Sequence, residues 1–159
     1  LDESPQIAME ALDLYQLAQE SLESLSGKAS QKQIALHLKG EEAQIQGNRA
    51  LLSSVIYNLC DNAITYNQPK GDVFVTIRQT DKNTILEGRD TGIGIPKDEG
   101  ERIFERFYRV DKSRSKKVGG TGLGLSIVKH ALKCHGATIQ VDSQVGKGTR
   151  MTVIFPGEK

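Results

Sequence analysis

The stretch Gly119-Gly-Thr-Gly-Leu-Gly-Leu-Ser-Ile-Val128 runs from a glycine-rich turn directly into an apolar helical pattern. Glycine has no Cβ, so its backbone N–H groups can approach a ligand closely. The free N–H groups and the dipole at the start of a helix both attract an anion. The stretch therefore predicts a phosphate site at the start of the last helix, which we expect to span about residues 123–134.

A second glycine turn, Asp90-Thr-Gly-Ile-Gly94, follows a predicted strand over residues 84–90. A carboxylate there can accept a hydrogen bond from the exocyclic amine of a base, while the glycines let the backbone wrap around that base. The alternative is that Asp90 is an ordinary turn residue. The long connection between the two turns, residues 92–121, is typical of a functional or disordered segment. Together the turns predict a nucleotide pocket with a cover.

An amide pair lies on a third segment, a helix that we expect to run from an N-cap at Asn48 to about Tyr66. Asn58 and Asn62 are four residues apart, so both side chains lie on one face. Their oxygens suit a hard cation such as Mg²⁺, and their N–H groups suit a phosphate. The alternative is an exposed polar face without a ligand.

The predicted cover carries a short helix over about residues 98–108. Phe104 and Phe107 are three residues apart and can anchor it to a core. Arg106 and Arg109 share that spacing and can donate to phosphate as planar, forked groups. A surface helix held by two rings is the competing interpretation.

The remaining pattern predicts an amphipathic helix at residues 11–26 and several short strands. We expect those strands at residues 34–38, 43–46, 73–77, 84–90, 138–142 and 149–155. Three helices with mostly antiparallel strands predict an α+β fold, a two-layer α/β sandwich with the helices on one face. Gly88 stands where the strand pattern calls for a branched apolar side chain, which indicates a bulge or close packing.

The chain has 159 residues and a formal net charge of +1, which suits one domain and gives no overall attraction to nucleic acid or an anionic membrane. A local basic run from Lys112 to Lys117 is either a solvated loop or part of the phosphate site. No apolar run is long enough to cross a membrane. Because the chain starts with Leu1, we expect it to be a fragment of a longer protein, which leaves open a membrane segment upstream.

The two cysteines and three histidines do not predict a metal site or a disulfide. Cys60 and Cys134 are far apart and both lie in apolar helical patterns, so we expect two buried free thiols. Cys134 and His135 are adjacent, and neighbours on a helix point in different directions.

In their order and spacing, four motifs closely resemble those of bacterial sensor histidine kinases. Asn58-Leu-Cys-Asp-Asn-Ala-Ile-Thr-Tyr66 is similar to the N box of that family, and Asp90 to Gly94 is similar to its G1 box. Phe104-Glu-Arg-Phe-Tyr-Arg109 resembles the F box, and Gly120-Thr-Gly-Leu-Gly124 resembles the G2 box. The resemblance covers about residues 9–155, and residues 105–115 are similar to the PhoR/VicK-like subgroup.

The resemblance implies the Bergerat fold, with a mixed, mostly antiparallel sheet, three main helices on one face and a long ATP lid over about residues 95–119. It implies that residues 1–159 form a single catalytic ATP-binding domain without the histidine-bearing dimerisation domain. Such a domain binds Mg-ATP and donates the γ-phosphoryl group to a histidine of that separate domain, upstream of a response regulator. The implied setting is the cytoplasmic part of a membrane-anchored bacterial sensor, with no nucleic-acid partner and no direct membrane contact.

The resemblance also implies roles for single residues. Asn62 would ligate Mg²⁺, Asn58 would support the metal and phosphates, and Arg106 would contact the γ-phosphate; these three are the implied catalytic residues. Asp90 would read the adenine amine, and Thr149 would reach the base through water. The full implied ATP-binding set is Asn58, Asn62, Tyr66, Asp90, Gly92, Gly94, Ile95, Phe107, Gly120, Thr121, Gly122, Leu123, Gly124, Leu125 and Thr149.

Two positions refine the implied chemistry. Hydrolytic relatives carry Glu as general base where this chain has Asn58, which favours phosphoryl transfer over rapid hydrolysis. The family often has Lys where this chain has Thr65, which predicts a weaker hold on phosphate unless a lid cation substitutes. A nucleotide-sensing module without transfer activity and a serine kinase of the anti-sigma type are the alternative functions.

Overall fold

The computed structural model describes residues 7–93 and 124–157. In chain order the elements are β1 (Glu10–Asp13), α1 (Leu14–Lys32), β2 (Ala35–Gly40), β3 (Gln44–Gly47), α2 (Arg49–Thr65), β4 (Asp72–Gln79), β5 (Asn83–Asp90), α3 (Gly124–Cys134), β6 (Thr138–Gln144) and β7 (Gly148–Pro156). The short helix predicted at residues 98–108 lies outside the described residues.

Five strands form the main sheet, in the order β2-β4-β5-β7-β6. The β2–β4 pair is parallel, and the other three pairs are antiparallel. β1 and β3 form a separate two-stranded antiparallel sheet. The predicted α+β fold with a mixed, mostly antiparallel sheet is therefore confirmed.

Alternating side chains on the strands give the sheet one buried face. Val73, Val75 and Ile77 of β4 are at most 2% exposed, while the residues between them are half-buried. Helix α2 lies between α1 and α3 and packs against both, and it also contacts β4 and β5. The core thus lies between the sheet and the helices, and α2 is the helix at its centre.

Helix α2 begins as its sequence predicts. The Asn48 side chain accepts a hydrogen bond from the Leu51 N–H group at 3.0 Å, which satisfies one of the free donors of the first turn. Leu52, Val55 and Ile56 are at most 1% exposed on the core face. The end of α3 is also as predicted, because Gly136 has φ +64° just after the helix.

Helix α1 differs from its prediction at both ends. It spans Leu14–Lys32 rather than residues 11–26, because Leu12 pairs with Ile45 in the β1–β3 sheet. The Asp13 carboxylate then caps the helix by accepting from Tyr15 N–H at 3.0 Å. At the far end, Lys32 Nζ donates to the Thr65 carbonyl at 2.8 Å, so the last turn of α1 is held against the end of α2.

Several strand boundaries also shift. β2 ends at Gly40 rather than at residue 38, because its parallel pairing with β4 continues to that residue. β6 ends at Gln144 rather than at residue 142, and β7 begins at Gly148 rather than at residue 149, which leaves only three residues between the two strands.

The two cysteines occupy different environments. Cys60 is buried as predicted, and burial, with a smaller contribution from Asp61, raises the pKa of its thiol to about 12. The prediction of a buried Cys134 is wrong, since this residue is only half-buried and its Sγ lies 3.8 Å from His130 Nε2.

Candidate functional site

The candidate site centres on Asp90, the last residue of β5. Its Oδ1 atom accepts hydrogen bonds from Gly92 N–H at 2.8 Å and from Thr149 N–H at 3.3 Å. Thr149 lies directly across from Asp90 in the β5–β7 pair. Two backbone donors from different elements therefore fix the orientation of one carboxylate.

The Asp90 carboxyl is costly to ionise. Burial raises its pKa from the ordinary 3.8 to about 6, although the two hydrogen bonds from Gly92 and Thr149 act in the opposite direction. At neutral pH the group is therefore an ionised acceptor in a poorly hydrated place. A hydrogen bond donated by a ligand therefore lowers the free-energy cost of keeping this carboxylate ionised.

The turn after Asp90 is pressed against the end of α2. Ile93 N–H donates to the Tyr66 carbonyl at 3.1 Å. A Cβ on Gly92 would lie 2.4 Å from the same carbonyl oxygen and 2.9 Å from Asp90 Oδ1. Only glycine fits this position without a shift of the backbone, so the turn and helix α2 form one wall.

Asn67 connects the segments of this wall, a role that its sequence motif does not predict. The side chain is 0% exposed. Its Nδ2 donates to the Asp72 carbonyl at 2.9 Å, and its Oδ1 accepts from Gln68 N–H at 2.9 Å and from the Thr91 hydroxyl at 3.2 Å. The amide thus ties the end of α2 to the start of β4 and the end of β5. In the sequence it looks like an ordinary turn residue, and only its place directly after the N-box-like segment could have indicated more.

The opposite side of Asp90 is formed by the start of β7. Thr149 is 7% exposed, and its Oγ1 lies 2.8 Å from the Ser143 hydroxyl. Ser143 Oγ also donates to the Gly148 carbonyl at 3.0 Å. Gly148 has φ +118°, and a Cβ on it would lie 2.1 Å from the Asp90 carbonyl oxygen. The hairpin between β6 and β7 therefore closes tightly on the Asp90 backbone.

Asn58 and Asn62 lie one turn apart on α2, and both are half-buried. Asn58 Nδ2 donates to the Ser54 carbonyl at 2.7 Å, and Asn62 Nδ2 donates to the Asn58 carbonyl at 2.8 Å. A backbone carbonyl can only accept, so the NH₂ group of each amide must face its own helix. The amide oxygen of each is directed away from that carbonyl, as a hard-cation ligand requires.

Thr65 is 4% exposed, and its hydroxyl is already bound by a cation of another helix. Lys28 Nζ of α1 lies 2.6 Å from Thr65 Oγ1 and 2.5 Å from Asp61 Oδ1. Lys28 of α1 therefore connects to Asp61 and Thr65 of α2, next to the amide pair.

The structure brings four of the predicted site residues together through direct contacts: Tyr66, Asp90, Gly92 and Thr149. Asn58 and Asn62 precede Tyr66 on α2, and Gly124 and Leu125 open α3, which packs against α2. The other predicted site residues lie outside the described residues: Gly94, Ile95, Arg106, Phe107, Gly120, Thr121, Gly122 and Leu123. The predicted lid over residues 95–119 lies outside them as well.

The sequence profile of one family, described as histidine kinase-, DNA gyrase B-, and HSP90-like ATPase, matches residues 47–159. The chain belongs to this family. Within it, the chain is 39% identical over 149 residues to the sensor-like histidine kinase SenX3 of Mycolicibacterium smegmatis, covering 93% of this chain and 39% of SenX3.

Solved structures of histidine kinases have the same fold. The mycobacterial sensor histidine kinase MprB superposes with a TM-score of 0.84 at 33% identity, covering 93% of this chain and 98% of that one. Full-length ShkA superposes with a TM-score of 0.83 at 25% identity, covering 96% of this chain and 32% of ShkA. The predicted resemblance to sensor histidine kinases is confirmed, and the chain matches the catalytic domain of such kinases. It spans about two fifths of the length of SenX3.

Two further observations describe the surroundings of the site. Within residues 7–93 and 124–157, no three His, Cys, Asp or Glu side chains cluster closely enough to hold a metal ion. None of the described helices combines the length and the apolar character that a membrane crossing requires.

Proposed function

We propose that this chain binds Mg-ATP and donates the γ-phosphoryl group to a histidine on a separate dimerisation domain. The observation that carries the proposal is the half-buried Asp90 carboxylate, held by Gly92 and Thr149 between two closely packed turns. A fixed, poorly hydrated acceptor discriminates strongly for a ligand N–H group, because a ligand that lacks the donor leaves the acceptor unpaired. The exocyclic amine of adenine is such a donor.

The shape of the wall supports a flat base beside this carboxylate. Gly92 and Gly148 allow backbone segments to approach Asp90 more closely than any side chain would permit. Tyr66 ends α2 next to the Gly92 turn, where its ring can pack on the base. The Thr149 hydroxyl, already paired with Ser143, can reach the base through a water molecule.

The amide oxygens of Asn58 and Asn62 fit a Mg²⁺ ion that is held mainly by nucleotide phosphates. Magnesium takes oxygen ligands and keeps several waters in such sites, so one or two protein oxygens are sufficient. We assign Asn62 as the protein ligand and Asn58 as its support. When bound, the ion would neutralise charge on the phosphates.

Asn58 favours transfer over hydrolysis. An amide cannot take a proton from water at neutral pH, and the Asn58 NH₂ group is held by the Ser54 carbonyl. Asp61 is the carboxylate nearest in sequence, but it is paired with Lys28. The described part of α2 therefore positions a nucleotide without providing a base for water.

The neighbours support this assignment. ShkA was solved in complex with AMPPNP, and the histidine kinase ThkA, a more distant neighbour, was solved in complex with the response regulator protein TrrA. For this chain we propose a single catalytic domain over residues 1–159, with a lid over about residues 95–119. Its partners would be a histidine-bearing domain of the same polypeptide and a downstream response regulator. We place the domain on the cytoplasmic side of a membrane-anchored sensor, without direct contact to the membrane or to nucleic acid.

The proposal is tested by calorimetric titration of the purified chain with Mg-ATP, followed by addition of the histidine-bearing domain and labelled ATP. We expect saturable binding, little phosphate release from the chain alone, and acid-labile phosphate on the added domain. Binding without transfer would favour the nucleotide-sensing module, and acid-stable phosphate on a serine would favour the anti-sigma type of kinase. The absence of ATP binding would contradict the proposal outright.

A further inference from the structure

Gly88 occupies a core position of β5 that has no side chain to fill it. It lies on the helix-facing side of the sheet, between Leu86 and Asp90 of the same strand. Across the sheet it pairs with Val75 of β4 and with Met151 of β7. A glycine within a strand loses packing and conformational entropy, and it often marks a place where something else approaches the backbone.

The described residues leave the space above Gly88 open. A Cβ built on this residue would meet no atom of the described residues within 4 Å. Protein interiors are otherwise close-packed, so a position among core side chains normally has neighbours in contact. This open volume is also accessible to solvent. Val75 and Leu86 are each 2% exposed, but Gly88 and Met151 remain half-buried.

The open volume lies beside the group that reads the base. Two residues along a strand span about 7 Å and place side chains on the same face. Gly88 and Met151 therefore form the floor next to Asp90 and Thr149. A base that donates its amine to Asp90 turns its amine edge towards this floor, so a substituent on that amine would extend over Gly88.

We propose that Gly88 sets the depth of the base pocket and lets the domain accept adenine nucleotides that carry a small alkyl group on the exocyclic amine. The inference rests on the proposed function, since it presumes that Asp90 binds the adenine amine. A secondary amine keeps one N–H group for Asp90, while its alkyl group enters the apolar volume between Val75 and Met151. A side chain at position 88 would fill that volume and exclude the alkyl group.

The test compares the dissociation constants of ATP and N6-methyl-ATP for the wild-type chain and for Gly88→Val. For the wild type we expect the two constants to agree within about threefold, because the methyl group has room. In Gly88→Val, we expect the preference for ATP over N6-methyl-ATP to rise at least about tenfold. Gly88→Ala should raise it by a smaller factor and serves as the second variant where valine prevents folding.

Gly27→Ala is the matched control. Gly27 also has no atom within 4 Å of a built Cβ, but it lies on the exposed side of α1, so its substitution should leave the preference unchanged. A wild-type chain that rejects N6-methyl-ATP as strongly as Gly88→Val does would overturn the inference. An equal change of both constants in Gly88→Val and Gly88→Ala would also overturn it. If ATP binds and Asp90→Asn weakens that binding, either of these results removes only the role of Gly88. A wild-type chain that does not bind ATP removes the proposed function as well.

Discussion

Replacing Asp90 by asparagine should stabilise the free domain while it weakens binding of the base. Burial raises the pKa of the Asp90 carboxyl from 3.8 to about 6. Each tenfold change in an ionisation constant corresponds to about 1.4 kcal/mol, so ionised Asp90 costs the folded domain up to about 3 kcal/mol. The Asn Oδ1 atom can still accept from Gly92 and Thr149, and it carries no charge.

The sign of the pH dependence follows from the direction of the pKa change. Well below pH 3.8 the carboxyl is protonated in both the folded and the unfolded chain, and it costs nothing. As pH rises from 3.8 through about 6, the unfolded chain ionises more readily, so the wild type loses stability from this group. Asp90→Asn has no carboxyl at this position, so ionisation does not reduce its stability as pH rises. The stability difference between variant and wild type should therefore grow with pH and level off above about pH 7.

Urea unfolding at several pH values measures this difference directly. We expect Asp90→Asn to exceed the wild type by about 1–3 kcal/mol more at neutral pH than at about pH 4. That gain corresponds to a melting temperature higher by about 2–12 °C for a chain of this size. Asp81→Asn, in the exposed turn between β4 and β5, should show no comparable trend. A stability difference that is constant with pH, or a variant less stable at neutral pH, would show that ionised Asp90 does not destabilise the folded domain.

Asp90→Asn should also weaken ATP binding by about 10–100-fold, because the amide can turn a donor towards the adenine amine and removes a charged acceptor; unchanged affinity would show that Asp90 does not read the base. Asn67→Ala should destabilise the domain by about 1–3 kcal/mol in urea unfolding, since it leaves buried hydrogen-bonding groups without their partner. Gly92→Ala should weaken ATP binding at least about tenfold in calorimetry, because its methyl group would displace the turn that holds Asp90. Thr65→Lys should strengthen ATP binding. The gain should be larger together with Lys28→Gln, since Lys28 Nζ lies 2.6 Å from Thr65 Oγ1 and would repel a second ammonium group. If the wild type, Thr65→Lys and the double variant bind ATP equally well, position 65 does not lack a phosphate contact.

Local pattern was sufficient to predict much of the fold. The start of α2 at Asn48 and the end of α3 at Gly136 follow from capping preferences, which depend on a few neighbouring residues. The alternation of Val73, Val75 and Ile77 predicts a half-buried strand in the same way. The start of α1 was not predictable, because Leu12 belongs to a strand that pairs with β3, a segment more than thirty residues away.

The site was predictable to the extent that its residues form short motifs. Asp90 and Gly92 belong to one motif, and the structure shows their hydrogen bond. Asn67 was missed, because its importance comes from burial and from partners on β4 and β5 that no local pattern reveals. The prediction of a bulge or close packing at Gly88 is wrong, since β5 pairs regularly there and the described residues leave open space above it. In both cases the deciding quantity is the three-dimensional surroundings of a single residue.

Phosphoryl transfer measured with labelled ATP is the decisive test of whether this chain donates the γ-phosphoryl group to a histidine. The purified chain would be mixed with the separately produced histidine-bearing domain that we propose as its partner, and both phosphohistidine and free phosphate would be followed over time. We expect phosphohistidine on the added domain, strongly reduced in Asp90→Asn, with little free phosphate released by the chain alone. Rapid phosphate release without the added domain, or ATP binding without any transfer to its histidine, would show that this chain is not a histidine kinase domain of the proposed kind.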